Sequence, residues 1–111
     1  MKIERSTVGT VDVLKPSAAL IEDDATDFTK LLLARLKSPN PRVVVSLQDV
    51  PYMDSTALEG LLDGSDELAQ RAAALKLAQV PPTCREILEL TGLAGRFRFF
   101  EEVQDAVRSY L

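Results

Sequence analysis

Asp54-Ser55-Thr56 places a carboxylate and two hydroxyls side by side, after Val50-Pro51-Tyr52-Met53 and before Ala57-Leu58-Glu59. These small polar side chains fall where a buried strand hands over to a helix. A hydroxyl there is well placed to carry a phosphate, because the helix N-terminus favours anions while the new group adds about −1.5 to −2 of charge to the surface. A plainer use competes with it. Thr56-Ala57-Leu58-Glu59 has the form of a capping box, with Thr56 accepting from a free backbone N–H and Glu59 reaching back. Ser55 would then stand at N′, exposed, with no capping duty. Nucleophilic catalysis has little to work with, since the chain has no histidine and a single cysteine, Cys84. Ser-His and Cys-His machines, intrachain disulfides and Cys/His zinc sites are thereby excluded, and no cofactor is implied.

Other reactive side chains have bland explanations. Glu22-Asp23-Asp24 with Asp27 resembles a hard-cation cluster, but acids at the start of a helix are partners of its dipole, so no metal site is expected. Asp63, Asp66 and Glu67 read as solvated helix surface. Cys84 follows Thr83 at a helix start, where a thiol pKa can fall, yet a lone thiol there packs as a small apolar residue. Arg85, Arg96 and Arg98 lack a glycine-rich phosphate loop. Arg96 and Arg98 alternate with Phe97 and Phe99, as on the wet side of an edge strand.

Residues 3 to 15 alternate weakly around a turn at Val8-Gly9 and predict a hairpin. Ala25, Phe28, Leu32 and Leu36 recur at helical spacing, predicting a helix over about 24 to 37 with Asp24 as N-cap. Arg42-Val43-Val44-Val45-Ser46-Leu47 is apolar enough for a strand buried on both faces. A helical pattern from Leu58 to Ala72 follows, interrupted by Asp63-Gly64-Ser65-Asp66. Leu75, Leu77 and Val80 give a strand stopped by Pro81-Pro82, and Thr83-Cys84-Arg85-Glu86 opens a capped helix through Leu90. Gly92 ends that helix, with Leu93 folding back on Leu88. A strand with Phe97 and Phe99 and a final helix with Val103, Ala106, Val107 and Tyr110, started by Glu101-Glu102, complete the chain. The expected fold is a small mixed α/β sheet of four to five strands with about four helices packed on it, in one domain over 1–111.

The chain has 111 residues, 46% of them hydrophobic, which suffices for one core. Thirteen basic against seventeen acidic residues leave a net charge of −4, so nucleic acid is not an expected partner. No apolar stretch approaches the roughly 20 residues that span a bilayer, and Met1 to Arg5 lacks the character of a secretory leader. A cytoplasmic protein without membrane insertion is expected. The short sheet edge and the apolar pair Tyr52-Met53 leave room for a protein partner.

The element order and two motifs resemble the STAS domain, the family of bacterial anti-sigma-factor antagonists. Tyr52-Met53-Asp54-Ser55-Thr56-Ala57-Leu58 matches the family's hydrophobic-Met/Ile-Asp-Ser-Ser/Thr-Gly-Leu, with Ala57 for the glycine and Glu59 for a second one. Leu90-Thr91-Gly92-Leu93 matches a later Leu-Thr/Ser-Gly-Leu. The resemblance spans about residues 8 to 110. It implies a non-catalytic regulator that binds an anti-sigma serine kinase, frees a sigma factor, and lets go when the serine after the motif aspartate, here Ser55, is phosphorylated. Thr56 matches a second hydroxyl that can also matter. By the same resemblance Tyr52, Met53, Asp54, Ser55, Thr56, Ala57, Leu58 and Glu59 form the partner-binding segment or its support. The family also implies an alternative, a STAS subunit stabilising the ATPase of a lipid-transporting ABC system, in which Thr56 would be a structural contact.

Overall fold

A tight turn through Gly9, which takes a positive φ of 63°, joins β1 (Ile3–Val8) to β2 (Val11–Pro16) in antiparallel register, Val8 facing Val11. Glycine occupies that left-handed conformation without the cost a Cβ would add. The computed structural model describes residues 2–111; Met1, the first residue of the segment read for a leader, lies outside it. From β2 onward each strand adds parallel to its predecessor: β3 (Val43–Ser46), β4 (Leu75–Ala78) and β5 (Phe97–Phe100) extend the sheet in the order β1-β2-β3-β4-β5. Every residue of β3 and β4 is buried, as strands covered by helices on both faces must be.

The alternation of strand side chains divides the interior into two cores. Leu14, Val43, Val45, Leu75, Leu77 and Phe97 face α1 (Glu22–Leu36), α2 (Ser55–Ala69) and α3 (Pro82–Leu90), whose Phe28, Leu32, Leu61 and Leu88 complete the larger core. Val11, Val13, Val44 and Ala78 face the other way, onto Ala106 and Val107 of α4 (Val103–Arg108). The expected mixed α/β sheet of four to five strands with about four helices is the fold observed, with five strands and four α-helices among the described residues.

Several expected boundaries shift for identifiable reasons. Helix α1 begins at Glu22, two residues before Asp24, and Ile21 at its N-cap has no capping side chain. Helix α2 runs unbroken through Asp63-Gly64-Ser65-Asp66. Its glycines serve packing: a Cβ on Gly60 would strike the Thr29 hydroxyl, and one on Gly64 would stand 3.2 Å from methyls of Leu32 and Leu36. Small residues four apart let α1 and α2 approach closely. Thr83 does not cap α3. Pro82 occupies the first turn instead, where its missing N–H costs nothing. The stop at Gly92 is as expected: at φ 75°, it lets Leu93 N–H reach Leu88 O at 2.9 Å and its own N–H reach Glu89 O at 3.1 Å. Arg96 lies in a short 3-10 turn (Ala94–Arg96) before β5 and pairs with Asp66 at 2.9 Å, so it does not share a strand face with Arg98. Helix α4 ends at Arg108, leaving Tyr110 beyond it.

Candidate functional site

The loop after β3 is locked before α2 begins. Val50 and Met53 are buried, and Met53 forms a parallel bridge with Leu20, the residue that leads into α1. Leu20 N–H donates to Tyr52 O at 3.0 Å and Asp54 N–H donates to Leu20 O at 3.1 Å, zipping the two pre-helix segments together. Cys84 reinforces the loop from α3, its thiol donating to Val50 O at 3.2 Å. Burial pushes that thiol above its ordinary pKa, the opposite of activation, so Cys84 is a packing residue.

Asp54, not Thr56, is the N-cap of α2. Its Oδ1 accepts from Ala57 N–H at 3.1 Å, while Oδ2 accepts from Glu22 N–H, the first residue of α1, at 2.7 Å. One carboxylate therefore closes the N-termini of two adjacent helices. The Glu22 amide, followed by that of Ala57, holds the Asp54 carboxyl below the usual carboxylate range, so it is ionised in the folded chain at neutral pH. An aspartate outcompetes a threonine here because its two oxygens serve both helices at once. The bond to Ala57 is local in sequence, whereas nothing in the sequence marks the bond to Glu22, 32 residues away.

This cap moves the hydroxyls one step into the helix. Ser55 is the first residue of α2, not N′, and is exposed; Thr56 follows it, half-buried. Around them Tyr52 is 52% exposed, Leu58 half-buried and Glu59 exposed, whereas Met53 and Ala57 are buried. Met53 and Ala57 thus hold the segment from beneath, and Tyr52, Ser55, Thr56, Leu58 and Glu59 supply its accessible side chains. Thr56, Glu59 and Gly60 also line a shallow groove against Thr26, Thr29 and Lys30 of α1. Ala57, where the motif has glycine, is buried in the larger core.

The carboxylate next to Ser55 in sequence, that of Asp54, accepts from backbone amides with both of its oxygens. Among the described residues no three acidic or cysteine side chains are grouped to hold a metal ion, and no helix is long and apolar enough to cross a membrane.

The fold is shared with solved structures that differ widely in sequence. An anti-sigma factor antagonist from Mycobacterium paratuberculosis superposes with a TM-score of 0.84 at 20% identity, covering 97% of this chain and 92% of that one. A STAS domain protein from Planctomyces limnophilus gives 0.82 at 22% identity over 96% of both chains. The Bacillus cell fate determinant SpoIIAA in its phosphorylated form gives 0.76 at 16% identity, over 99% of this chain and 100% of that chain. A comparison with curated protein sequences finds no match. The family model of the STAS domain matches residues 2–106, from β1 into α4, and the chain accordingly belongs to the STAS domain family.

Proposed function

We propose that this chain is a non-catalytic anti-sigma-factor antagonist, one cytoplasmic domain that captures an anti-sigma serine kinase through the Tyr52–Glu59 segment and releases it when Ser55 is phosphorylated. The observation that carries the reading is the placement of Ser55: an exposed hydroxyl on the first residue of α2, in a segment fixed by Leu20, Met53 and Asp54. A kinase can reach such a group, and a partner docked on the segment must cover it. The likeness to antagonists, one of them solved both with and without its phosphate, supports the same reading.

The switch follows from local electrostatics. The Ala57 and Glu22 amides that would otherwise neutralise an anion are committed to Asp54. A phosphate of charge about −1.5 to −2 on Ser55 would therefore sit beside an ionised carboxylate with few donors left to it, and docking would require its desolvation. A loss of about 1.4 kcal/mol in docking already weakens affinity tenfold.

The experiment pairs mass spectrometry with capture. Protein recovered from its native cell carries one added phosphate, mapped to Ser55 or Thr56, and immobilised wild type retains a small kinase of the histidine-kinase ATP-binding type that Ser55→Asp does not. Equal retention by both proteins, or no phosphate on either hydroxyl, overturns the proposal. Retention of an ATPase together with its membrane partner would establish the ABC-transport alternative in its place.

A further inference from the structure

Lys76 is in the wrong place for a purely structural residue. It lies in the middle of β4, a strand buried along its whole length, and is only 7% exposed on the face that otherwise packs Val44 and Ala78 against α4. Burying an ammonium is unfavourable unless an anion or several acceptors replace its water. The ring of Tyr110 lies 3.4 Å from its Nζ, a cation–π contact that serves one side of the group. Tyr110 is held there by its hydroxyl, which donates to Val43 O at 2.7 Å and accepts from Val43 N–H at 3.2 Å.

The remaining neighbours make matters worse for the ammonium. Burial pulls the Lys76 pKa below the usual lysine range, and the like charges of Arg98, on the same face of the adjacent strand, and of Arg42 add to the effect. Arg42 donates to the neutral Thr10 hydroxyl, and Arg98 lies over the Phe100 ring. None of the ion pairs among the described residues includes any of the three. Lys76 and Arg98 thus stand side by side on adjacent strands with no carboxylate ion-paired to either among the described residues.

Lys76 opens onto a cavity of about 560 Å³, within the range of small-molecule sites. Arg98 and Tyr110 line it too, and Leu68, Ala72 and Pro41 supply apolar wall; no acidic residue contributes. Its residues lie before β3, before β4 and on the α4 face of the sheet, with Leu68 in the last turn of α2, whereas Ser55 is the first residue of that 15-residue helix, about 20 Å away along its axis. The two places are separate. We infer that this cavity is a binding site for a small phosphate monoester, its phosphate held by Lys76 and Arg98 and its compact apolar body against Leu68, Ala72 and Pro41. Ammonium and guanidinium donors suit a tetrahedral dianion, and the apolar wall suits something larger than inorganic phosphate.

Phenyl phosphate is the probe, titrated into the full chain and followed by amide NMR shifts and calorimetry, with inorganic phosphate and phenol in parallel. The expected result is saturable binding, with shifts centred on residues 72–76, 98 and 110, tighter than either fragment alone. Lys76→Met and Arg98→Gln should each weaken it about tenfold or more. Arg98 is exposed, so that variant tests the site even if Lys76→Met compromises folding. Absence of saturable shifts, shifts centred elsewhere, affinity no better than that of inorganic phosphate, or affinity unchanged in Arg98→Gln overturns the inference. Ser55→Asp should bind the probe as wild type does, which separates this result from the fate of the phosphoswitch.

Discussion

Asp54 shows how one side chain can serve two elements, and its ionisation makes the consequence measurable. Its folded pKa lies below the ordinary value of 3.8 because the Glu22 and Ala57 amides favour the carboxylate. A group depressed in the folded state contributes stability that is fully present above the unfolded pKa and is lost as pH falls through the folded one. Asp54→Asn retains one acceptor oxygen and cannot satisfy both helices, so the variant should unfold at lower urea than wild type at neutral pH. The gap between the two midpoints should stay constant down to about pH 5, narrow below the ordinary aspartate value, and close in more acidic solution. A gap independent of pH across that window would show that the carboxylate's charge plays no part. The sequence placed this segment between a strand and a helix, as observed, but assigned the cap to Thr56, because the capping-box pattern fits Thr56 and Glu59 locally. The competing cap draws half its advantage from an amide brought close only by the fold. For the same reason Lys76 drew no notice: it becomes unusual only once β4 is known to be central and Tyr110 is known to fold over it.

Helix α2 teaches the corresponding lesson about elements. Glycine is a weak helix former, so Gly64 beside Ser65 and two aspartates reads as a break. The α1–α2 contact overrides that preference. Gly60 and Gly64 both face α1 side chains, and their different surroundings predict different outcomes for the same substitution. Gly64→Ala meets the ends of Leu32 and Leu36, which can give by a few tenths of an ångström, while alanine gains up to about 1 kcal/mol of helix propensity, so the change should be close to neutral. Gly60→Ala drives a methyl into Thr29, whose hydroxyl already donates to Ala25 O at 2.8 Å, and should lose about 1–3 kcal/mol of unfolding free energy. Thr29→Ala should restore most of that loss in the double variant. A Gly60→Ala chain as stable as wild type, or a double variant no better than the single one, would show that helix separation is not set here. Strand positions were legible where the pattern was extreme, as in Val43-Val44-Val45; caps and breaks depended on contacts between helices.

At the scale of the molecule, the sheet sets a gradient of order that bears on how a signal at Ser55 is transmitted. Strands β3 and β4 lie at the centre, buried on both faces, while β1 is an edge strand exposed along nearly its whole length. Native-state hydrogen exchange should therefore be slowest at Val44, Val45 and Leu77, opening only with global unfolding, and fastest along the unpaired side of β1. Ser55 stands outside this gradient, since its side chain is exposed and the loop before it is anchored by backbone bonds to Leu20 that the hydroxyl does not make. An acidic group on the first residue of a helix is well tolerated, so Ser55→Asp should leave the exchange of β3 and β4 unchanged to within about 0.5 kcal/mol while reducing partner capture. That combination would make the switch a change in surface charge on a rigid body. Accelerated exchange at Val44 or Leu77 in Ser55→Asp would instead mean that the charge loosens the fold, and release of the partner would then follow from a change of shape.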